Sequence, residues 1–268
     1  METADLFRIK LIRVSLIVTV VMAVLCTSVM VSYASHKTII VAEENEEEAV
    51  NALKLKEECA PNISYINVEE KFSPEIVKSL KALNRPIVLL DPGHGGAMNG
   101  TQVGEVCEKD ILLKLAFEIE NLSAEKPYKV VLLRDGDETI NTENRIRAFQ
   151  AVKPDYYIGL HLSSNADDTK LFGMEAYYNP DYYHNGLENV DFADLLLRNV
   201  ATETKNRALG LFEATDNELI LRVLDVPATT LYLGYMSNEE ELKLLTDKDY
   251  LYKIGKGIVE SLDSIVTE

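Results

Sequence analysis

A chain of 268 residues with 47% hydrophobic side chains is long enough to enclose one good-sized core, with accessory segments beside it. Its formal net charge of -17 comes from acidic residues spread along the chain, and no Lys/Arg-rich run occurs beyond the N-terminus. Long-range attraction to a polyanion is therefore absent, which excludes nucleic acid as a partner.

Val14 to Ala34 is an uncharged run that follows Arg8, Lys10 and Arg13. About 20 apolar residues cross a bilayer as a helix, and flanking positive charge keeps the N-terminal side in the cytoplasm. Residues 1–13 are thus expected inside, 14–34 as one transmembrane anchor, and the remainder outside the membrane. Ser32-Tyr33-Ala34 is also a small-x-small peptidase site, and cleavage after Ala34 would release a secreted protein.

Residues 35–84 read as an acidic spacer with short helices. Glu43-Glu-Asn-Glu-Glu-Glu48 can bury nothing. Further on, Ser73, Pro74 and the apolar spacing of Ile76, Val77, Leu80 and Leu83 predict a helix leading into the main domain, 85–268. Three cysteines, Cys26, Cys59 and Cys107, show neither CxxC pairing nor zinc-finger spacing, so a disulfide framework is excluded. In an exported chain Cys59 and Cys107 could still pair.

The domain is organised around Pro86-Ile-Val-Leu-Leu-Asp-Pro-Gly-His-Gly-Gly96. Four consecutive apolar residues predict a strand buried on both faces, stopped by Pro92-Gly93 and Gly95-Gly96. His94 then stands at the C-terminal end of a strand, the edge at which open α/β sheets bind ligands. Gly100 and Gly104 keep the chain loose as far as Glu108, which opens a helix marked by Ile111, Leu112, Leu115 and Ile119. A second strand, Tyr128–Leu133, closes at Arg134-Asp-Gly-Asp137, and Thr142–Val152 is a helix carrying Arg145 and Arg147. The third strand, Asp155–Leu162, again ends with a histidine, His161.

This alternation implies right-handed crossovers and parallel strands: an α/β fold with a twisted, mostly parallel sheet and helices on both faces. Parallel strands bring His94 and His161 to one edge, and with Glu108 they form a His, carboxylate, His set. Catalytic zinc takes three such ligands and leaves a position for water. Beyond the set, Gly173–Tyr178 is a strand, and Tyr177, Tyr178, Tyr182, Tyr183 and His184 form an aromatic stretch suited either to packing or to stacking on sugar rings. Asp191–Arg207 is an amphipathic helix, Glu218–Leu224 precedes the last strand, and helix from Glu239 to Ser264 closes the domain.

Asp91-Pro-Gly-His-Gly-Gly96, Glu108-Lys-Asp110, Leu133-Arg134 with Asp137 and Arg145, Gly159-Leu-His161 with Asn165-Ala166, and Pro227 to Asn238 occur in a characteristic order. In that order they resemble the zinc-dependent N-acetylmuramoyl-L-alanine amidases of the bacterial cell wall, over about Arg85 to Val266. The resemblance implies Zn2+ held by His94, Glu108 and His161, peptidoglycan as the substrate, and hydrolysis of the amide between N-acetylmuramic acid and L-alanine. An activating protein partner has no signature in the sequence.

Two positions depart from the family. Ser163-Ser164 lengthens the segment between His161 and Asn165, and Tyr232 stands where the family places its general-base glutamate. A phenol with an ordinary pKa of about 10 accepts protons poorly at neutral pH, and loss of a base costs roughly 10²- to 10⁴-fold in rate. Three readings of Tyr232 follow. Another carboxylate, Glu213, Glu218 or Glu175, takes over; or the metal-acidified water needs little help and Tyr232 orients it or stabilises the oxyanion; or the domain binds the wall or regulates a partner without cutting.

Overall fold

The computed structural model describes residues 65–266 apart from 182, 185 and 186. The run at 14–34, the acidic cluster at 43–48, Cys26 and Cys59 lie outside the described residues, as do Tyr182 and the anchor and leader expectations. Among the described residues no helix is long and apolar enough to cross a membrane.

Strand β1 (Ile87–Pro92) is buried at every position, with Val88 and Leu90 in one core and Ile87 and Leu89 in the other. Such a segment needs apolar cover on both sides, and helices supply it. Two short ribbons stand apart from the main sheet: β2 (Gln102–Val103) with β3 (Val106–Cys107), and β7 (Tyr183–His184) with β8 (Leu187–Glu188). The main sheet contains β1, β4 (Lys129–Leu132), β5 (Tyr156–Ser163), β6 (Met174–Tyr178), β9 (Ala208–Glu213) and β10 (Ala228–Tyr235), in the order β4-β1-β5-β10-β6-β9. The first four of that order are parallel, and β6 with β9 runs against them.

One face is covered by α3 (Glu108–Leu122), α5 (Asn189–Thr204) and α7 (Lys248–Val266), through Leu112, Leu115, Phe192, Leu196, Ile254 and Ile258. The other carries α1 (Val68–Lys71), α2 (Pro74–Lys81), α4 (Thr142–Val152) and a 3-10 segment at Asp216–Arg222. Helix α4 has the limits its sequence predicts: the Asn141 side chain accepts from the Asn144 N–H at 2.8 Å, and Lys153 leaves the helix in the left-handed region, ahead of Pro154.

Several boundaries differ from the sequence reading. The packed domain begins within the expected spacer: Ile66, Val68 and Phe72 are buried in the second core, and Tyr65 bridges to Thr139. The helix expected at 191–207 stops at Thr204 because Lys205 turns left-handed, and the chain continues as edge strand β9, whose exposed and half-buried residues show no alternation. The C-terminal helix is two: α6 (Glu239–Leu245), whose first N–H groups are accepted by the Asn238 side chain, then α7.

Candidate active site

Where β1 ends, His94 adopts a left-handed conformation at φ 60°. The buried Arg134 fixes this turn. Its guanidinium donates to the carbonyls of Pro92 at 3.0 Å, Gly93 at 2.9 Å, Lys109 at 2.9 Å and Gly136 at 3.1 Å, joining the end of β1 to the first turn of α3. Arg145, on α4, pairs with the buried Asp91 and donates to the His94 carbonyl at 3.0 Å, while the Tyr157 hydroxyl donates to the other Asp91 oxygen. Burial pushes the Arg145 guanidinium down to about 10, which leaves it charged at neutral pH. Arg145 thus holds the turn behind His94.

Glu108, at the first position of α3, is 2% exposed. Its Oε2 accepts from the Thr101 N–H and its Oε1 from the Leu162 N–H, each at 2.8 Å. His94 Nε2 lies 3.1 Å from Oε1 and His161 Nδ1 3.3 Å from it, with the two imidazole rings edge to face at 5.0 Å. Burial raises the Glu108 carboxyl, but hydrogen bonds and charge from His161 and His94 outweigh it and hold the group well below the carboxylate range.

The three residues that sequence reading assigned to a metal therefore meet, with ligand atoms all within 4.8 Å of one another. Glycines make room for them. A Cβ on Gly93 would fall 2.4 Å from His161 Cε1, and one on Gly100, at φ 67°, would fall 2.5 Å from His94 Cδ2 and 2.6 Å from Glu108 Oε2. Two imidazole nitrogens and one carboxylate oxygen, with the carboxylate oriented by backbone N–H donors, form a donor set that fits zinc in a catalytic setting. Cys107, which precedes α3, is buried and forms no disulfide among the described residues.

The two histidines border a cavity of about 270 Å³ that Asp91, Arg145, Glu218 and Tyr232 also line. Tyr232 is in register with His161 across β10 and β5, so both side chains leave the same face, and their rings stack at 5.4 Å. The Tyr232 hydroxyl donates to Glu218 Oε1 at 2.9 Å. Burial, then the Glu218 charge and this hydrogen bond, raise the phenol far above its ordinary value, so it remains protonated.

Of the three substitute carboxylates, Glu218 alone lines this cavity. Glu175 accepts from the hydroxyls of Tyr235 at 2.6 Å and Tyr177 at 3.3 Å, and Glu213 is exposed at the end of β9. The sequence did carry a signal for Glu218: Thr215-x-x-Glu218 is a capping-box spacing, and Glu218 Oε2 accepts from the Thr215 N–H at 3.0 Å and Oγ1 at 2.6 Å. Sequence reading quoted Arg134 within a motif but gave it no role, because its charged group gave no hint that four carbonyls surround it. In the aromatic stretch, Tyr177 stacks on Phe212 at 5.4 Å and meets Tyr232 edge-on at 5.1 Å, which is packing within the protein.

A family model described as N-acetylmuramoyl-L-alanine amidase matches residues 88–264. The germination-specific N-acetylmuramoyl-L-alanine amidase of Bacillus subtilis (strain 168) is 25% identical over 202 residues, covering 69% of this chain and 82% of the relative. The probable cell wall amidase LytH of Staphylococcus aureus is 29% identical over 188 residues, and the match spans 69% of this chain but only 60% of the relative's length. Among solved structures, the catalytic domain of CwlV, an N-acetylmuramoyl-L-alanine amidase from Bacillus (Paenibacillus) polymyxa var. colistinus, superposes with a TM-score of 0.61 at 25% identity, covering 68% of this chain and 98% of that domain. The fold, the converging histidines and carboxylate, and these matches lead to one conclusion: the chain belongs to the N-acetylmuramoyl-L-alanine amidase family.

Proposed function

We propose that this protein is a zinc-dependent hydrolase that cleaves the amide between N-acetylmuramic acid and L-alanine in peptidoglycan. The observation that supports it most is the His94, Glu108, His161 set, assembled from three separate elements with both histidines on the wall of one cavity. Zinc held by these side chains would polarise the scissile carbonyl and acidify a water molecule.

The protein's own groups suit that chemistry. The Leu162 and Thr101 N–H groups hold the Glu108 carboxylate in one orientation, and Arg145 balances Asp91 behind His94. The Tyr232 ring lies against His161 on the cavity wall, and its neutral hydroxyl donates to Glu218 Oε1. The reading of a domain that binds the wall without cutting rested on Tyr232 alone. Against it stand the assembled ligand set and the buried Glu218 carboxylate that Tyr232 contacts.

We further propose that the activity resides outside the bacterial membrane, with the domain held there by an anchor at 14–34. The support is the uncharged run itself and the positive residues before it. The test uses the purified full chain: zinc content is measured together with release of stem peptides from isolated peptidoglycan. About one zinc per chain is expected from a three-ligand site, with cleavage that His94→Ala and His161→Ala abolish. Bound zinc without cleavage would refute the enzymatic reading, and recovery of the protein in the cytoplasmic fraction would refute the location.

A further inference from the structure

We propose that Glu218 is the proton acceptor for the attacking water and works through the hydroxyl of Tyr232, an inference that rests on the amidase reading above. Hydrolysis of an amide requires a group that takes a proton from water and later gives one to the departing amine. The other carboxylates near the two histidines have their oxygens engaged elsewhere. Asp91 is paired with Arg145 and Tyr157, and Glu108 is held by two backbone N–H groups and faces both histidines.

Glu218 differs in how its two oxygens are used. Oε2 accepts both donors of Thr215, whereas Oε1 accepts the hydroxyl of Tyr232, whose ring lies on the ring of His161. Tyr232 therefore links the Glu218 carboxylate to the His161 side of the site, and it lines the same cavity as both histidines. At 4% exposure, Glu218 is a buried carboxylate whose hydrogen-bond partners are all neutral donors. Desolvating a carboxylate is costly, and closing one short 3-10 segment is a small return that a neutral acceptor would also provide. The arrangement is accounted for if the negative charge has work to do in the cavity.

As the water oxygen bonds to the amide carbon, its O–H bond breaks and the proton passes to Tyr232 Oη while the phenolic proton moves to Glu218 Oε1. The phenol begins and ends neutral, and the carboxylate becomes a carboxylic acid. When the C–N bond breaks, Tyr232 gives a proton to the amine nitrogen and recovers one from Glu218. Water and amide become acid and amine with nothing left over. Tyr232 is the residue that touches the reacting water; Glu218 acts through it.

The test compares the zinc-loaded full chain with Tyr232→Phe, Glu218→Gln, the double variant, and Tyr232→Glu combined with Glu218→Gln, on a synthetic N-acetylmuramoyl peptide. Each single change should lower kcat by about 10²-fold or more. The double variant should be no slower than the singles, because both act on one path. KM, zinc content, and the Kd for the peptide measured by calorimetry on the slow variants should stay at wild-type values. Tyr232→Glu should restore most of kcat in the Glu218→Gln background.

Wild-type kcat in Tyr232→Phe or Glu218→Gln, multiplied losses in the double variant, or a loss that tracks zinc content or peptide affinity would overturn the proposal. Tyr232→Phe removes one oxygen and decides the question even if Glu218→Gln fails to fold. A zinc-loaded wild-type chain that cleaves nothing overturns the amidase reading and this inference together, whereas an active wild type with a silent Tyr232→Phe overturns this inference alone.

Discussion

The Leu162 N–H donates to Glu108 Oε1 at 2.8 Å, so the residue that follows His161 on β5 holds the carboxylate that begins α3. Helix and strand are tied at the point where each presents a proposed metal ligand. Replacing Glu108 with glutamine leaves one carbonyl oxygen to serve two N–H groups, those of Leu162 and Thr101. The unpaired donor should cost about 1–3 kcal/mol of stability. Zinc affinity should fall at least about 10-fold with the loss of a charged ligand. Urea unfolding and competition with a chelator measure the two effects, and an unchanged zinc affinity would count against the assigned site.

Arg134 is a keystone of the turn without touching the metal set. Arg134→Met removes the donors to four carbonyls and should destabilise the fold by on the order of 3 kcal/mol. Arg134→Lys should recover less than half of that, since a single ammonium cannot follow the planar fork across Pro92, Gly93, Lys109 and Gly136. Equal unfolding midpoints for wild type and Arg134→Met would show that the network contributes little.

Gly93 and Gly100 test the close packing of the site. Gly93→Ala drives a methyl group into the His161 ring, and Gly100→Ala adds left-handed strain while pressing on His94 and Glu108. Each should cost about 1–3 kcal/mol through overpacking, with zinc affinity falling further than stability alone explains, because the atoms displaced belong to the proposed ligands. Calorimetric zinc titration of each variant checks this. Full-affinity binding in both would mean that the ligands relax freely.

The zinc-free protein should also be sensitive to acid. Burial lowers the His161 imidazole below its ordinary 6.5, even though the hydrogen bond and charge of Glu108 pull the other way. Between the depressed folded value and 6.5 the unfolded chain binds the proton that the folded chain refuses, so stability is fully present above 6.5 and falls as pH drops through that window. Glu108, also depressed, acts with the same sign below 4.5. Thermal unfolding of the zinc-free chain across the acid range should show a falling Tm, with a shallower slope in His161→Asn; a flat or rising Tm would contradict it.

Much of the site was legible from local patterns. Four apolar residues bounded by Pro-Gly and Gly-Gly pairs specify β1 and leave His94 at its end, and Asn141 with Lys153-Pro154 bounds α4 in sequence as in space. Strand β9 was not legible, because an edge strand with a half-exposed surface and Gly210 has no hydrophobic period to read. Residues 65–72 looked like spacer because their few apolar side chains, Ile66, Val68 and Phe72, gain meaning only from the second core that they help to fill.

The sequence by itself pointed to His94, Glu108 and His161 as a candidate metal set, since the residue types and their positions at strand ends and a helix start are properties of short segments. It also determined that Tyr232 breaks the family pattern. Only the tertiary structure decided what stands beside Tyr232. The register of β10 on β5 sets its ring against His161, and the return of the chain through the 3-10 segment brings Glu218, and not Glu175 or Glu213, to its hydroxyl. Such choices depend on packing between elements distant in sequence, where any of several carboxylates satisfies the local pattern and only the closed fold selects one.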